Sequence, residues 1–189
     1  MRIGSLFSGI GGFELGLERA GLGQTVWQCE QDPYARGVLE RHWPKVQRYT
    51  DVREMGRSAE IPKADIVIGG FPCQNLSVAG RKAGLSGPKS GLWTEFKRIV
   101  SEVEPTIVIV ENVAHTWRRW VPSIRRDLRE LEMFSLPVRL TAAEVGAYHR
   151  RSRAFVIAHV DSEPIRVLER WWCRKGRKDP PEPRHYGAW

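Results

Sequence analysis

Cysteine is scarce in this 189-residue sequence, and the three that occur, Cys29, Cys73 and Cys173, stand far apart. Such scatter fits neither a disulfide framework nor the paired spacing of a zinc site. No stretch approaches the ~20 apolar residues needed to cross a membrane, and no basic-then-apolar leader opens the chain. Internal repeats and low-complexity segments are also missing. A disulfide-stapled module, a structural zinc protein and a membrane-spanning helix are therefore not expected. A reducing cytoplasm is the expected compartment, with no metal and no membrane partner. Cys29 and Cys173 read as bystanders.

What is present is a chain long enough to bury a core as one domain. Lys and Arg number 30 against 22 Asp and Glu, a formal charge of +8 that fits a polyanionic partner. Arg118, Arg119, Arg125, Arg126 and Arg129, in a predicted helix after Trp117, contribute to the excess, as does the run from 150 to 153. Short apolar runs alternate with helical patterns throughout. That alternation predicts an α/β architecture, a mostly parallel sheet with helices on both faces.

The chemistry gathers where predicted strands end. Asp65-Ile66-Val67-Ile68-Gly69 reads as a buried strand, and Gly70-Phe71-Pro72-Cys73-Gln74 follows it. Pro72 lacks an N–H and restricts the residue before it, so the chain must leave the strand here. A thiol at that position sits where open α/β sheets place their chemistry. A buried, inert cysteine is the competing reading. Asn75 to Gly91, with Gly80, Gly84, Gly87, Arg81, Lys82 and Lys89, suits a hinged lid that meets phosphates, against the plainer reading of a surface loop. Leu92 to Val103 then carries apolar residues at helical spacing, a core-packing stripe.

At the N-terminus, Arg2 to Phe7 reads as a strand, and Ser8-Gly9-Ile10-Gly11-Gly12 turns into a helix carrying Phe13, Leu15 and Leu17. Strand, glycine turn and helix fit a nucleotide-binding opening, in which glycines admit a ligand to the backbone and the helix end offers free N–H groups, against the plainer reading of a strand-to-helix packing turn. Val26 to Cys29 predicts a second strand, and Glu30 at its end is placed to accept hydrogen bonds from ribose hydroxyls. Asp51, after the short apolar segment 46–49, is placed to meet an adenine amino group. Solvated loop carboxylates are the alternative for both acids.

Thr106 to Val110 has the β-branched density of a central parallel strand, and delivers Glu111-Asn112-Val113 to the same sheet edge. Arg151 and Arg153 precede a further strand, Ala154 to Ala158, and their alternate positions point to one side of an extended chain. A solvated basic turn is the competing reading of 149–153. Ile165 to Trp172 predicts a short helix, which Pro180, Pro181 and Pro183 prevent from continuing. Trp171, Trp172 and Trp189 are left open between core packing, base stacking and a partner contact.

Four segments taken together, Leu6-Phe7-Ser8-Gly9-Ile10-Gly11-Gly12-Phe13, Gly70-Phe71-Pro72-Cys73-Gln74, Glu111-Asn112-Val113 and Arg151-Ser152-Arg153, resemble in order the motifs of DNA (cytosine-5)-methyltransferases. The resemblance implies a Rossmann-like, class I S-adenosylmethionine-dependent methyltransferase fold for residues 1–160, with 161–189 a basic, Trp- and Pro-rich extension. It implies methyl transfer from S-adenosylmethionine to carbon 5 of a cytosine flipped from double-stranded DNA, leaving S-adenosylhomocysteine. Cys73 is then the nucleophile, Glu111 the group that meets ring N3 and the exocyclic amine, Arg153 the base contact and Arg151 the loop brace. Asn112 holds the local backbone, and Gln74 and Ser77 belong to the substrate loop. Phe7, Gly9, Gly11, Gly12, Glu30, Asp51, Pro72 and Leu92 border the cofactor, Phe7 by stacking on adenine.

The sequence departs from the family pattern at three places. Ser5 stands where many members carry an acid, and Tyr148-His149 where proline and glutamine are usual. Residues 161–189 match neither the family's target-recognition region nor its closing segment. A compact enzyme of the kind a phage or a restriction-modification system carries is the leading expectation. A catalytic subunit or fragment needing a partner chain, and an inactive DNA-binding regulator, are the alternatives, with a second subunit or a homo-oligomer as the protein partner expected beside DNA. The Cys-Phe-Thr segment of the tRNA-modifying branch is absent, which favours DNA over RNA. Cys73→Ala is expected to abolish methyl transfer while leaving cofactor affinity and fold in place. Parallel transfer and binding measurements check this, and loss of both would show that Cys73 is not chiefly a nucleophile.

Overall fold

The computed structural model describes residues 1–72 and 91–174. Within them a single sheet is built from β1 (Arg2–Leu6), β2 (Gln24–Cys29), β3 (Gln47–Tyr49), β4 (Ile66–Gly69), β5 (Ile107–Val113), β6 (Phe134–Thr141) and β7 (Ser152–His159). The strand order is β3-β2-β1-β4-β5-β7-β6. β7 runs antiparallel to both its neighbours, and the other pairs are parallel. Chain order reverses between β1 and β4, the switch point at which open α/β sheets open a crevice.

Five helices cover the sheet: α1 (Gly12–Arg19), α2 (Pro33–His42), α3 (Gly91–Val103), α4 (Trp117–Glu130) and α5 (Ser162–Arg174). Strand alternation sorts them onto two faces. Ile3, Ile66 and Ile68 point to one side and pack with Phe13 and Leu17 of α1. Leu6, Val67, Val108 and Val110 point to the other and meet Phe96, Ile99, Trp120 and Ile124 of α3 and α4. Strands covered on both faces are continuously apolar, which is why 66–69 and 107–110 lack polar alternation. Asp32 caps α2 by accepting from the Ala35 N–H at 2.8 Å, with Pro33 as its first residue.

The α3 stripe is buried as its spacing predicts, through Trp93, Phe96, Ile99, Val100 and Val103. Trp93 and Phe96 stack at 5.2 Å, and Phe71 lies 5.7 Å from Trp93 and 6.3 Å from Trp120. The Trp93 indole N–H donates to Asp127 Oδ2 at 2.7 Å within this apolar layer, bolting α3 to α4.

Several elements differ from the sequence expectation; β7 begins at Ser152, so Arg153 lies within the strand rather than before it. β5 does not stop at Val110, because antiparallel pairing with β7 (Glu111 with Phe155, Asn112 with Ala154, Val113 with Arg153) carries it through the polar residues. β6 is unforeseen; Pro137 within it disguises a strand, and proline is tolerated there because β6 lies at the sheet margin. The predicted helix at 165–172 extends over Ser162–Arg174, and Ile165 and Trp172 pack with Leu136 and Val138 of β6. Trp171 is half exposed. Among the described residues no helix is long and apolar enough to cross a membrane.

Asp127→Ala removes a charged acceptor from a buried indole N–H. It is expected to lower folding stability by about 2 kcal/mol, a loss that denaturant unfolding with an unchanged slope would register.

Candidate functional site

Sheet register brings the expected residues to one edge. Tyr49, Cys29, Leu6, Gly69 and Val110 are successive partners across β3, β2, β1, β4 and β5. One step further along these strands come Glu30, Phe7, Gly70 and Glu111, with Asp51 two steps beyond Tyr49. The described parts of three motifs, with Glu30, therefore converge on the C-terminal edge of the parallel strands around the β1/β4 switch point, and antiparallel β7 brings Arg153 alongside β5 at Val113.

β5 contributes two polar residues facing opposite ways. Glu111 Oε1 lies 2.6 Å from Arg153 Nε, a diagonal pairing between β5 and β7, and both side chains keep about a quarter of their surface exposed, 25% and 27%. Burial raises the Glu111 carboxyl above its ordinary value, and the charges of Arg153 and Arg151 hold it back. A carboxyl so balanced can hold a proton or release it within the site. Its other oxygen crowds Gly70, where a Cβ would come to 2.7 Å of Oε2. Asn112, almost wholly buried, donates from Nδ2 to the Phe71 carbonyl at 3.0 Å and accepts from the Val113 N–H at 2.8 Å. With Phe71 seated among Trp93 and Trp120, the backbone leading to Pro72 is fixed from two directions. Pro72 itself is exposed. Cys73, Gln74 and Ser77, and the expected lid up to residue 90, lie outside the described residues.

Arg151 is exposed; its N–H meets His149 Nδ1 at 3.4 Å and its carbonyl accepts from Ala142 at 2.8 Å. The His149 departure thus supplies a local acceptor for the backbone beside Arg151. Arg139 was not singled out from sequence, yet it is buried on β6 and donates to Ser152 Oγ at 2.7 Å, between the two site arginines.

At the other half of the edge, Phe7 is half-buried against the α3 side and adopts φ +55°, a conformation rare for an aromatic residue. Gly9 has φ +54° and Gly11 φ +85°; Gly11 caps α1 and abuts the Trp43 indole and Leu39, so it needs both the left-handed backbone and the missing side chain. Gly12, the first residue of α1, is exposed and has open space beside its Cα. Glu30 reaches across to accept from the Gly9 N–H and the Asp32 N–H, each at 2.8 Å, tying β2 to the glycine turn. Asp51 is engaged by Arg53, with Oδ2 and Nη2 2.7 Å apart, and this pairing lowers its pKa. Leu92, half-buried in the first turn of α3, packs on the main core. Cys29 is buried, and desolvation, then Asp51 and Glu30, push its thiol up to about 12, where a thiolate is out of reach. Among the described residues no group of three or more His, Cys, Asp or Glu side chains is placed to hold a metal ion.

Known proteins carry the same sequence pattern and architecture. The profile of the C-5 cytosine-specific DNA methylases matches residues 1–182. The chain is 35% identical over 176 residues to the Type II methyltransferase M2.BsuMI of Bacillus subtilis, covering 89% of this chain and 44% of that protein. It is 31% identical over 161 residues to M.HhaI of Haemophilus parahaemolyticus, covering 83% and 48%. Among solved structures, the Dnmt2 methyltransferase of S. pombe superposes with a TM-score of 0.71 at 19% identity, over 85% of this chain and 51% of that one, and shares the fold. The fold is that of the class I S-adenosylmethionine-dependent methyltransferases. The chain belongs to the C-5 cytosine-specific DNA methylase family and spans about half the length of the relatives it matches.

Gly70→Ala drives a methyl group against Glu111 Oε2. Because the obstructed atom is the end of a side chain, stability should fall by no more than about 1 kcal/mol. The carboxylate is expected to swing away from Arg153, so that Glu111 titrates at a higher pH than before. Carboxyl-carbon NMR of the variant and parent checks this; an unmoved titration would show that Gly70 does not set the pair.

Proposed function

We propose that this chain transfers a methyl group from S-adenosylmethionine to carbon 5 of cytosine in DNA through a covalent bond to Cys73. The observation that carries the reading is the Glu111–Arg153 pair at 2.6 Å, lodged against Gly70 three residues before the cysteine. Cytosine carbon 5 is a poor nucleophile. Addition of the Cys73 thiolate to carbon 6 moves the ring's electron pair toward carbon 5, and a proton held by Glu111 at ring N3 takes up the charge that develops. Raising of the Glu111 pKa by burial supports this role. Carbon 5 then takes the methyl group, the carbon 5 proton leaves to solvent or a base, and the Cys73–carbon 6 bond breaks to restore the ring. Arg153, already at the carboxylate, would reach cytosine O2, and Arg151 would brace the loop. The target atom is inaccessible within a duplex, so the base must be flipped into the site, with Gln74 and Ser77 on the loop that receives it.

The residues at the β1 and β2 ends fit S-adenosylmethionine. Gly9 and Gly12 leave open space where side chains would project, Glu30 presents a carboxylate beside the turn, and Phe7 is held in an unusual backbone state at its mouth. These would hold the adenosyl group, with Asp51 at the adenine, Gly11 shaping the turn, and Pro72 and Leu92 on the β4/α3 side. When bound, the cofactor supplies an electrophilic methyl on a sulfonium. Asp51 must share its oxygens with Arg53 or exchange it to meet an adenine amino group. Residues 1–160 form the catalytic unit of this proposal, and DNA is the partner.

The test is methyl transfer from labelled S-adenosylmethionine to cytosine-containing DNA by this chain, with Cys73→Ala as control. Transfer that vanishes in the variant is the expected outcome. Folded chain without transfer would overturn independent activity. Recovery with a second polypeptide would then identify a catalytic subunit, and DNA binding without recovery an inactive regulator.

A further inference from the structure

Beneath the glycine turn lies a buried acid that the reaction does not use. Glu14, in the first turn of α1, has no exposed surface, and its neighbour Gln28 on β2 has none either. Gln28 Nε2 approaches Glu14 Oε1 at 3.5 Å, a weak contact, and the Ser5 and Ser8 hydroxyls lie beside the carboxyl. Ser8 Oγ is 2.9 Å from Ser5 Oγ, and the Ser8 N–H donates to the Cys29 carbonyl at 3.1 Å. The cluster thus joins β1, β2, α1 and the turn that holds Gly9 and Gly11. Two of its buried atoms, Glu14 Oε2 and Gln28 Oε1, have no hydrogen-bond partner among the described residues. Both are acceptors when the acid is ionised, so the pocket is short of a donor. An unmet buried acceptor is costly, and a bare buried carboxylate more so.

We propose that Glu14 is a neutral carboxylic acid in the folded chain and a positioning residue for the Ser8–Gly11 turn, its O–H supplying the donor this cluster lacks. A single proton turns one orphaned acceptor into a donor and removes the buried charge. Desolvation raises the Glu14 pKa, against the opposing pull of its own backbone N–H, Ser5, Ser8 and Gln28. Among the described residues no charged group faces the carboxyl from the elements packed around it. Ser5 and Gln28 are neutral, and β4 presents Ile66 and Ile68 to this side of the sheet. Glu18 turns to Thr25 and Trp43, Glu30 to Gly9, and Cys29 to the opposite core. The turn's link to the cofactor rests on the functional reading above.

The sign of the pH dependence follows from linkage. A carboxyl whose folded pKa exceeds its unfolded value makes the fold lose stability as pH rises between the two. Glutamine has the same shape and supplies an N–H donor without titrating. Thermal unfolding of the full chain and of Glu14→Gln across pH is therefore the deciding measurement. The melting-point difference, variant minus parent, is expected to grow as pH rises above the ordinary carboxylate range and then level off. A difference that is flat, or that falls with pH, overturns the protonated acid. Calorimetry with S-adenosylmethionine tests the positioning role: Glu14→Gln should bind within about twofold of the parent, and Glu14→Leu about tenfold more weakly. A glutamine variant as weak as the leucine variant overturns that role. If the leucine variant fails to fold, the glutamine variant's own affinity decides, a loss of tenfold or more overturning it. A parent chain that binds no cofactor defeats the functional reading, while the unfolding arm still decides the state of Glu14.

Discussion

Everything at the candidate site hangs on the pairing of β5 with β7. That antiparallel seam extends β5 past its apolar run, and strand alternation then sends Glu111 to one face and Asn112 to the other. Glu111 meets Arg153 across the seam, and Asn112 grips the Phe71 carbonyl behind the sheet. One strand end therefore sets both the electrostatics of the site and the path of the backbone toward Cys73. Parallel strands alone would leave Glu111 on a loop with no arginine beside it.

The two halves of the site are stabilised by different physics. On the β4 and β5 side the support is mainly dispersion among Phe71, Trp93, Phe96 and Trp120, with a few polar ties from Trp93 to Asp127, Trp120 to the Val113 carbonyl and Asn112 to the Phe71 carbonyl. Such a layer is close-packed and resists small displacements. On the β1 and β2 side the support is a hydrogen-bonded lattice: Glu30 to Gly9, Ser8 to Cys29, and the buried acid below. Polar lattices of this kind specify geometry as long as every group is satisfied, which is why the state of one proton matters there.

Much of this was legible from residue order. Glycine turns and apolar runs located β1, β2, β4 and β5, and the stripe from Leu92 to Val103 located α3, because those signals are local. The convergence of Phe7, Glu30, Gly70 and Glu111 followed from the strand-end rule for α/β sheets. What stayed hidden was non-local. Pro137 masked β6, since a sheet margin tolerates a residue that local propensity forbids. Glu14 drew no notice in the sequence, because nothing nearby says that Ser5, Ser8 and Gln28 enclose it. Asp51 read as an open ligand, while Arg53, two residues on, takes its carboxylate. Gly70 was read as a strand terminator, and its second use, giving room to the Glu111 carboxylate, depends on a residue 41 positions away.

The margins of the sheet carry a consequence for assembly. Among the described residues, β3 at one end is only three residues long, and β6 at the other carries Pro137 within its eight residues. Short strands and prolines are the devices by which native sheets refuse an added strand. β-Augmentation, in which a guest peptide continues the host's backbone ladder, is thereby disfavoured at both flanks. A polypeptide that joins this chain must be recognised by its side chains, on the helical layers or at the strand-end rim, and its specificity will be written in shape and charge rather than in main-chain pairing.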